Sequence, residues 1–251
     1  MTQNENAEPT PQETEAKSEN HAMNDHSKID LRVVPCVGRN LRNQLADLMV
    51  TAFVDDPNAI WHHKSYKSAE HKFRRLLHDL FIAEILSAKA HGLVQCTMQG
   101  DTVVGGIIAV PSAHIKKFDT MVTLRYAKRV LGHLPTVSTM VNLALTDMWD
   151  ARHRSKIMKG RPFIYLFAIG VNLRGQGVGG VQMRQLTAIA DILGLPIYLE
   201  NSKDKNLPFY GRFGFEVQEK AVVREKKDGP VLWLMVREPQ KAGPAPPANA
   251  V

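Results

Sequence analysis

Cysteine is nearly absent: Cys36 and Cys96 are the only two in 251 residues. Two thiols are too few for a disulfide scaffold or a zinc ligand set, so no metal is expected. They read as inert buried thiols in a reducing cytosol. No apolar run approaches the roughly 20 residues that cross a bilayer, so no membrane partner is expected. The first thirty residues lack an apolar signal core, which argues for a cytoplasmic protein and against secretion. There is no internal repeat, and no helix-turn-helix, zinc pattern or aromatic RNP signature. Nucleic acid is therefore not the expected partner, although the chain is basic.

That basicity is uneven. Residues 1–27 hold six acids against Lys17, a formal −5 within a total of +7, so the remainder carries +12. A basic body suits phosphate-bearing ligands as well as nucleic acid. The polar acidic stretch 1–28 and the Pro/Ala-rich stretch 240–251 read as disordered tails around one domain, 29–239. Apolar residues, 44% of the chain, suffice for its core.

Within that domain the pattern alternates between strand and helix periods. A strand is expected at 31–34, a helix at 41–53 ended by Asp56-Pro57, and a longer helix at 68–90 stopped by Gly92. Strands follow at 93–98 and 102–110, the second reading as buried on both faces. Residues 115–160 look like a helical insertion broken near Gly132 to Pro135. The order then runs strand 163–171, helix 177–193, strand 196–200, short helix 205–213, and strands 215–222 and 231–237. The sum is a mixed α/β sheet with one parallel crossover.

That crossover carries the most informative segment, Arg174-Gly175-Gln176-Gly177-Val178-Gly179-Gly180. It follows the apolar run Phe163 to Val171 and opens a helical pattern. A strand ending in glycines at a helix N-terminus directs several backbone N–H groups at one point, a ready anion site. Glycines let a phosphate approach the main chain without side-chain clash. No Gly-Lys-Ser/Thr follows, which excludes a P-loop. A dinucleotide site is disfavoured too: only Glu200 could serve as the later ribose acid, and the second βαβ half is missing.

Three further pieces follow. Gly194-Leu195-Pro196-Ile197-Tyr198-Leu199-Glu200 reads as a helix end feeding a buried strand. After it come Asn206-Leu207-Pro208-Phe209-Tyr210 and Arg212-Phe213-Gly214-Phe215-Glu216-Val217. Together with the glycine loop they strongly resemble the GCN5-related N-acetyltransferase (GNAT) superfamily, and most of all its puromycin N-acetyltransferase-like branch. The resemblance is close over 160–237 and echoes faintly in Ala52 to Pro57 with Trp61. It implies a GNAT-like mixed sheet flanked by helices, with 115–160 inserted between the third and fourth strands.

The resemblance implies acetyl-CoA as co-substrate and a small-molecule primary amine as acceptor. The loop from Arg174 through Gly175, Gln176, Gly177, Val178, Gly179 and Gly180 would clasp the pyrophosphate, Arg174 adding charge assistance. The backbone of Ile169, Gly170 and Val171 would bind the pantetheine arm like an added strand, with Asn206 helping. Members usually carry a proline between the strand's last valine and the loop. Val171-Asn172-Leu173-Arg174 lacks it, which leaves the pantetheine register open. Tyr210 takes the place of the general acid that protonates the leaving thiolate; the plain alternative is a core tyrosine. Glu200 is a candidate base for the substrate ammonium, against an ion pair with a lysine such as Lys203. His62 and His63 lie where the branch lines its acceptor site, yet read first as a solvated loop. The basic residues of 115–160 read as a solvated helical face, with a lid over the acceptor pocket or a homodimer surface as the sharper options. No cysteine lies in the matched motifs, so direct transfer is expected. A non-catalytic acyl-CoA-binding regulatory module is the alternative.

Overall fold

The structure, a computed structural model, describes residues 30–66, 69–130 and 137–240. In chain order the elements are β1 (Leu31–Pro35), α1 (Gly38–Phe53), α2 (Pro57–His62), α3 (Glu70–Ala88), β2 (Leu93–Gln99) and β3 (Thr102–Pro111). Next come α4 (Ile115–Val130), α5 (Val137–Met158), β4 (Ile164–Val171) and α6 (Val178–Leu193). The chain continues with β5 (Ile197–Asn201), α7 (Leu207–Gly211), β6 (Glu216–Val222) and β7 (Val231–Arg237). The seven strands form one sheet in the order β1-β2-β3-β4-β5-β7-β6. Every pairing is antiparallel except β4 with β5, which the α6 crossover makes parallel. The mixed α/β sheet flanked by helices is thus the fold observed.

Alternating side chains on the central strands divide the core. Tyr165, Ala168, Tyr198 and Leu234 join the cluster under α1 and α3, while Ile164, Leu166, Ile197, Leu199 and Met235 pack with Met183 and Leu186 of α6. Successive side chains on a strand point to opposite faces, so one strand feeds both layers. Two adjacent glycines of β3 set how closely those layers approach. A Cβ on Gly105 would stand 2.6 Å from Val178 Cγ1 of α6, and one on Gly106 would overlap Leu45 Cδ1 of α1.

The sheet does not stay closed. β4 and β5 pair only through Ile164↔Ile197 and Tyr165↔Tyr198. Beyond Tyr165, β4 continues to Val171 along β3, while β5 turns away along β7 as far as Asn201↔Trp233. The β3–β4 register shifts between Ile108 and Ala109, opposite Ala168 and Leu166, so Phe167 has no partner residue. A bulge of this kind bends and twists its strand. The result is a wedge between two parallel strands.

Three expectations need correction. Asp56-Pro57 does more than end a helix, because it starts another. Asp56 Oδ1 accepts from the Asn58 and Ala59 amides at 2.9 and 3.1 Å, with Pro57 in the first turn. This is an N-cap with proline where no amide is needed. The helix α2 then turns His62 and His63 inward, 7% and 2% exposed, so they are not a solvated loop. Gln240, assigned above to a tail, donates its amide to Asp191 at 2.7 Å. The rest of both expected tails, 1–28 and 241–251, and the helix break near Gly132 to Pro135 lie outside the described residues. No described helix is long and apolar enough to cross a membrane.

Candidate active site

The wedge between β4 and β5 opens a cleft of about 890 Å³. One wall is the β4 edge from Leu166 to Val171, whose side facing β5 pairs with no strand among the described residues. Such an edge presents free N–H and C=O groups. Ile169, Gly170, Val171, Arg174, Gly175, Gly177, Val178, Gly179, Gly180 and Asn206 all line this cleft. Gln176 is the member of the expected set that does not; it is exposed beside them.

Local backbone geometry explains the glycines. Gly175 and Gly177 adopt φ of 79° and 78°, the left-handed region that an L side chain strains to enter. Gly177 is the N-cap of α6 and leaves the helix's first amides free toward the cleft, with no acid in the first turn. Gly179 has another reason: its Cβ would lie 3.3 Å from the Phe209 ring of α7. Arg174, Arg184, Lys205 and Arg212 line the same cleft. Among the described residues, none of the four forms an ion pair. Free amides, a helix dipole and uncommitted cations together make an anion cradle.

Tyr210 sits on α7 and also lines the cleft. It is 8% exposed and packs edge-on against Phe209 and Phe215, centroids 5.3 and 5.8 Å away. Burial holds its phenol well above the ordinary value, and the charge of Asp56 adds to this. A phenol so placed stays protonated and keeps a proton to donate. Asn206, just before α7, donates to Asn201 Oδ1 at 3.4 Å, which ties the α7 entry to the end of β5.

Glu200 is held differently from either reading. Arg154 Nη1 donates to its Oε1 at 3.2 Å, and the Tyr165 hydroxyl donates to its Oε2 at 2.7 Å. Lys203 instead pairs with Asp55 at 2.5 Å, and Ser202 donates to Asp56 in a short hydrogen bond. These two contacts strap the α1–α2 turn to the end of β5. Arg154 is not part of a solvated basic face: it is 6% exposed, lies 3.7 Å from Asp119 and stands over the Tyr165 ring at 4.9 Å.

Behind Glu200 a second cavity, of about 210 Å³, is enclosed by α2, α3, α4, α5 and the sheet. Glu84, Asp119, Asp147 and Asp150 line it, a set that motif matching missed. Burial raises Asp119 to about 6 against the pull of Arg154. Burial and then the Asp119 charge raise Asp147 to about 7. For Glu84 burial dominates, Asp147 adds to it, and the carboxyl reaches about 8. Asp150 is also raised, by burial and then Glu200. His62, lowered to about 3 by burial, and His63, lowered by the same cause, line the cavity as neutral rings. One signal was present in the sequence. Glu84 interrupts an otherwise apolar stretch from Leu80 to Leu86, and Asp147, Asp150 and Arg154 follow helical spacing.

No protein-family model matches the chain. An uncharacterized N-acetyltransferase of Schizosaccharomyces pombe is 26% identical over 204 residues, 78% of each protein. Solved structures align over most of the chain at low identity. A protein of Corynebacterium glutamicum described as histone acetyltransferase HPA2 and related acetyltransferase aligns with a TM-score of 0.54 at 18% identity. It covers 84% of this chain and 98% of its own. Arylalkylamine N-acetyltransferase 2 of Aedes aegypti gives 0.53 at 10% identity, covering 84% and 100%. The polyamine N-acetyltransferase of Drosophila melanogaster gives 0.51 at 14%, covering 83% and 100%. With its splayed β4 and β5, glycine loop and flanking helices, the chain has the fold of the GNAT acetyltransferases.

Proposed function

We propose that this protein is an acetyl-CoA-dependent N-acetyltransferase that acetylates a small primary amine by direct transfer. The observation that carries this reading is the shared cleft: an unpaired strand edge, a left-handed glycine loop at a helix N-terminus and a buried phenol face one space. The cradle suits a diphosphate, because its amides and uncommitted cations match a dianion without needing a metal. The β4 edge suits an amide-bearing arm that hydrogen-bonds like a strand. Acetyl-CoA has both parts, and its thioester would then lie toward Tyr210. The amine acceptors named for the Drosophila and Aedes proteins agree with this chemistry, and the four sequence motifs favour the puromycin N-acetyltransferase-like branch.

In the reaction the amine nitrogen bonds to the thioester carbonyl carbon and the carbon–sulfur bond breaks. Tyr210 donates its hydroxyl proton to the departing thiolate, and the second proton that the nitrogen sheds as the amide forms restores the phenol. The acceptor enters as an ammonium and must lose a proton first. Glu200 lines both the cleft and the cavity, so it stands at their junction. Each of its oxygens keeps a lone pair beyond the one occupied by Arg154 or Tyr165. It would take the ammonium proton, directly or through water, while Arg154 balances its charge.

The test is thiol release from acetyl-CoA across an amine panel, beside calorimetry of CoA binding. Turnover that requires an amine supports the proposal. Tyr210→Phe is expected to lower kcat by about 10²-fold or more while leaving CoA affinity near wild type. Unchanged turnover in that variant removes Tyr210 from the mechanism. Tight CoA binding with no turnover on any amine would make the protein an acyl-CoA-binding regulatory module instead.

A further inference from the structure

The inner cavity has a chemistry that a simple amine does not require. Six residues line both it and the cofactor cleft: Phe53, Asp56, Phe167, Ala168, Glu200 and Ser202. These form the mouth. Glu84, Asp119, Asp147 and Asp150 line the cavity alone, so they lie inward of that mouth. Their origins differ: Glu84 comes from α3, Asp119 from α4, and Asp147 and Asp150 from α5. Among the described residues, no lysine or arginine lines the cavity. Arg154, outside it, is engaged with Glu200 and Asp119. His62 and His63 are neutral, and Tyr126 and Tyr165 are phenols.

Two carboxyl oxygens inside are orphaned. Glu84 is 4% exposed and its Oε2 has no hydrogen-bond partner among the described residues, and Asp150 Oδ1 has none either. A buried carboxyl without a partner is costly, and the cost falls away when a cation arrives to complete it. Among the described residues no three of His, Cys, Asp or Glu converge as metal ligands. The acids are instead set around an apolar wall built by Leu77, Phe81, Phe118, Val122 and Leu143. That wall suits methylenes.

We propose that the acceptor is an aliphatic dication: its reacting amine stands at the Glu200 mouth while a second ammonium, one short alkyl chain away, is held among Glu84, Asp147 and Asp150. The assignment rests on the N-acetyltransferase reading of the adjoining cleft and names the acceptor class for it. Burial, and then the charge of neighbouring carboxylates, raises all three carboxyls, Glu84 to about 8 and Asp147 to about 7. An arriving ammonium stabilises their ionised forms, so binding releases protons to solvent.

The experiment compares putrescine with n-pentylamine, the same chain with a methyl group replacing one ammonium, in the thiol-release assay. Putrescine is expected to show kcat/KM at least tenfold higher, and Glu84→Gln or Asp147→Asn should shrink that ratio severalfold. Calorimetry of putrescine binding at pH 7, in two amine-free buffers of different ionisation enthalpy, should show net proton release. If both amines are acetylated with equal kcat/KM, the dication proposal is overturned and the acetyl-transfer reading stands. If neither is acetylated, acetyl transfer is judged on the wider amine panel, and calorimetry decides the cavity. Putrescine binding that Glu84→Gln and Asp147→Asn weaken supports the site, and absence of binding overturns it.

Discussion

Replacing Glu84 by Gln should flatten part of the protein's pH dependence, and the size of the effect follows from where the carboxyl sits. Glu84 lies on α3 with 4% exposure, and burial, followed by the Asp147 charge, raises it from 4.5 to about 8. In the unfolded chain the same group has lost its proton by pH 6. Between the two values the folded protein binds more protons than the unfolded one, so stability falls as pH rises. At 1.36 kcal/mol per pKa unit, this group alone removes about 2–3 kcal/mol between pH 5 and pH 7. Gln has nearly the same shape and no proton to lose. Urea unfolding of both proteins at the two pH values, in amine-free buffer, measures the difference. The variant's advantage should grow by about 2 kcal/mol from pH 5 to pH 7, or roughly 4–8 °C in Tm for a domain of this size. Asp119 and Asp147, raised to about 6 and about 7, tilt both proteins in the same direction and largely cancel in the comparison. Parallel stability curves would show that Glu84 is solvated or paired, and the reasoning about the cavity would fail with it.

Gly177→Ala places a Cβ on a residue at φ 78°. It should destabilise the protein by about 1–2 kcal/mol and weaken CoA binding, read by thermal melting and calorimetry. Gly92→Ala would push a Cβ into the Ala109 carbonyl oxygen where α3 meets β2. An overpacking loss of about 1–3 kcal/mol is expected in denaturant unfolding, with CoA affinity unchanged. Asp191→Ala removes both bonds, 2.7 and 2.8 Å, that it accepts from Arg237, which is 3% exposed. Leaving that guanidinium buried should lower stability by roughly 3 kcal/mol, the low end for a broken buried pair. Arg237 holds the Asp191 carboxyl below its ordinary value. The wild type therefore loses this contribution as pH falls through that lowered value, and the variant has none to lose.

Much of the fold was legible because its signals are local. Apolar periodicity located β4 and α6 to within a residue or two, and the glycines between them announced a turn that only a side-chain-free backbone makes easily. The loop, Asn206 and Tyr210 fall within forty residues of one another, which let them be read as one site. The inner cavity was not legible in the same way. Glu84, Asp119 and Asp147 come from three helices, and a reading element by element leaves each as one more charged position. Arg154 looked like any basic residue on a solvated helix until Glu200 and Asp119 were found beside it. His62 and His63 followed a proline that read as a stop, and only the Asp56 cap shows that it is a start.

The chain's own chemistry, then, settles which segments become strands or helices and which backbone must turn left-handed, since those preferences act over a few residues. Where β4 and β5 part, and which acids end up sharing a buried space, depends on how α1, α3, α4 and α5 pack across the sheet. Those contacts join residues far apart in the chain, and their energies exist only once the layers have closed.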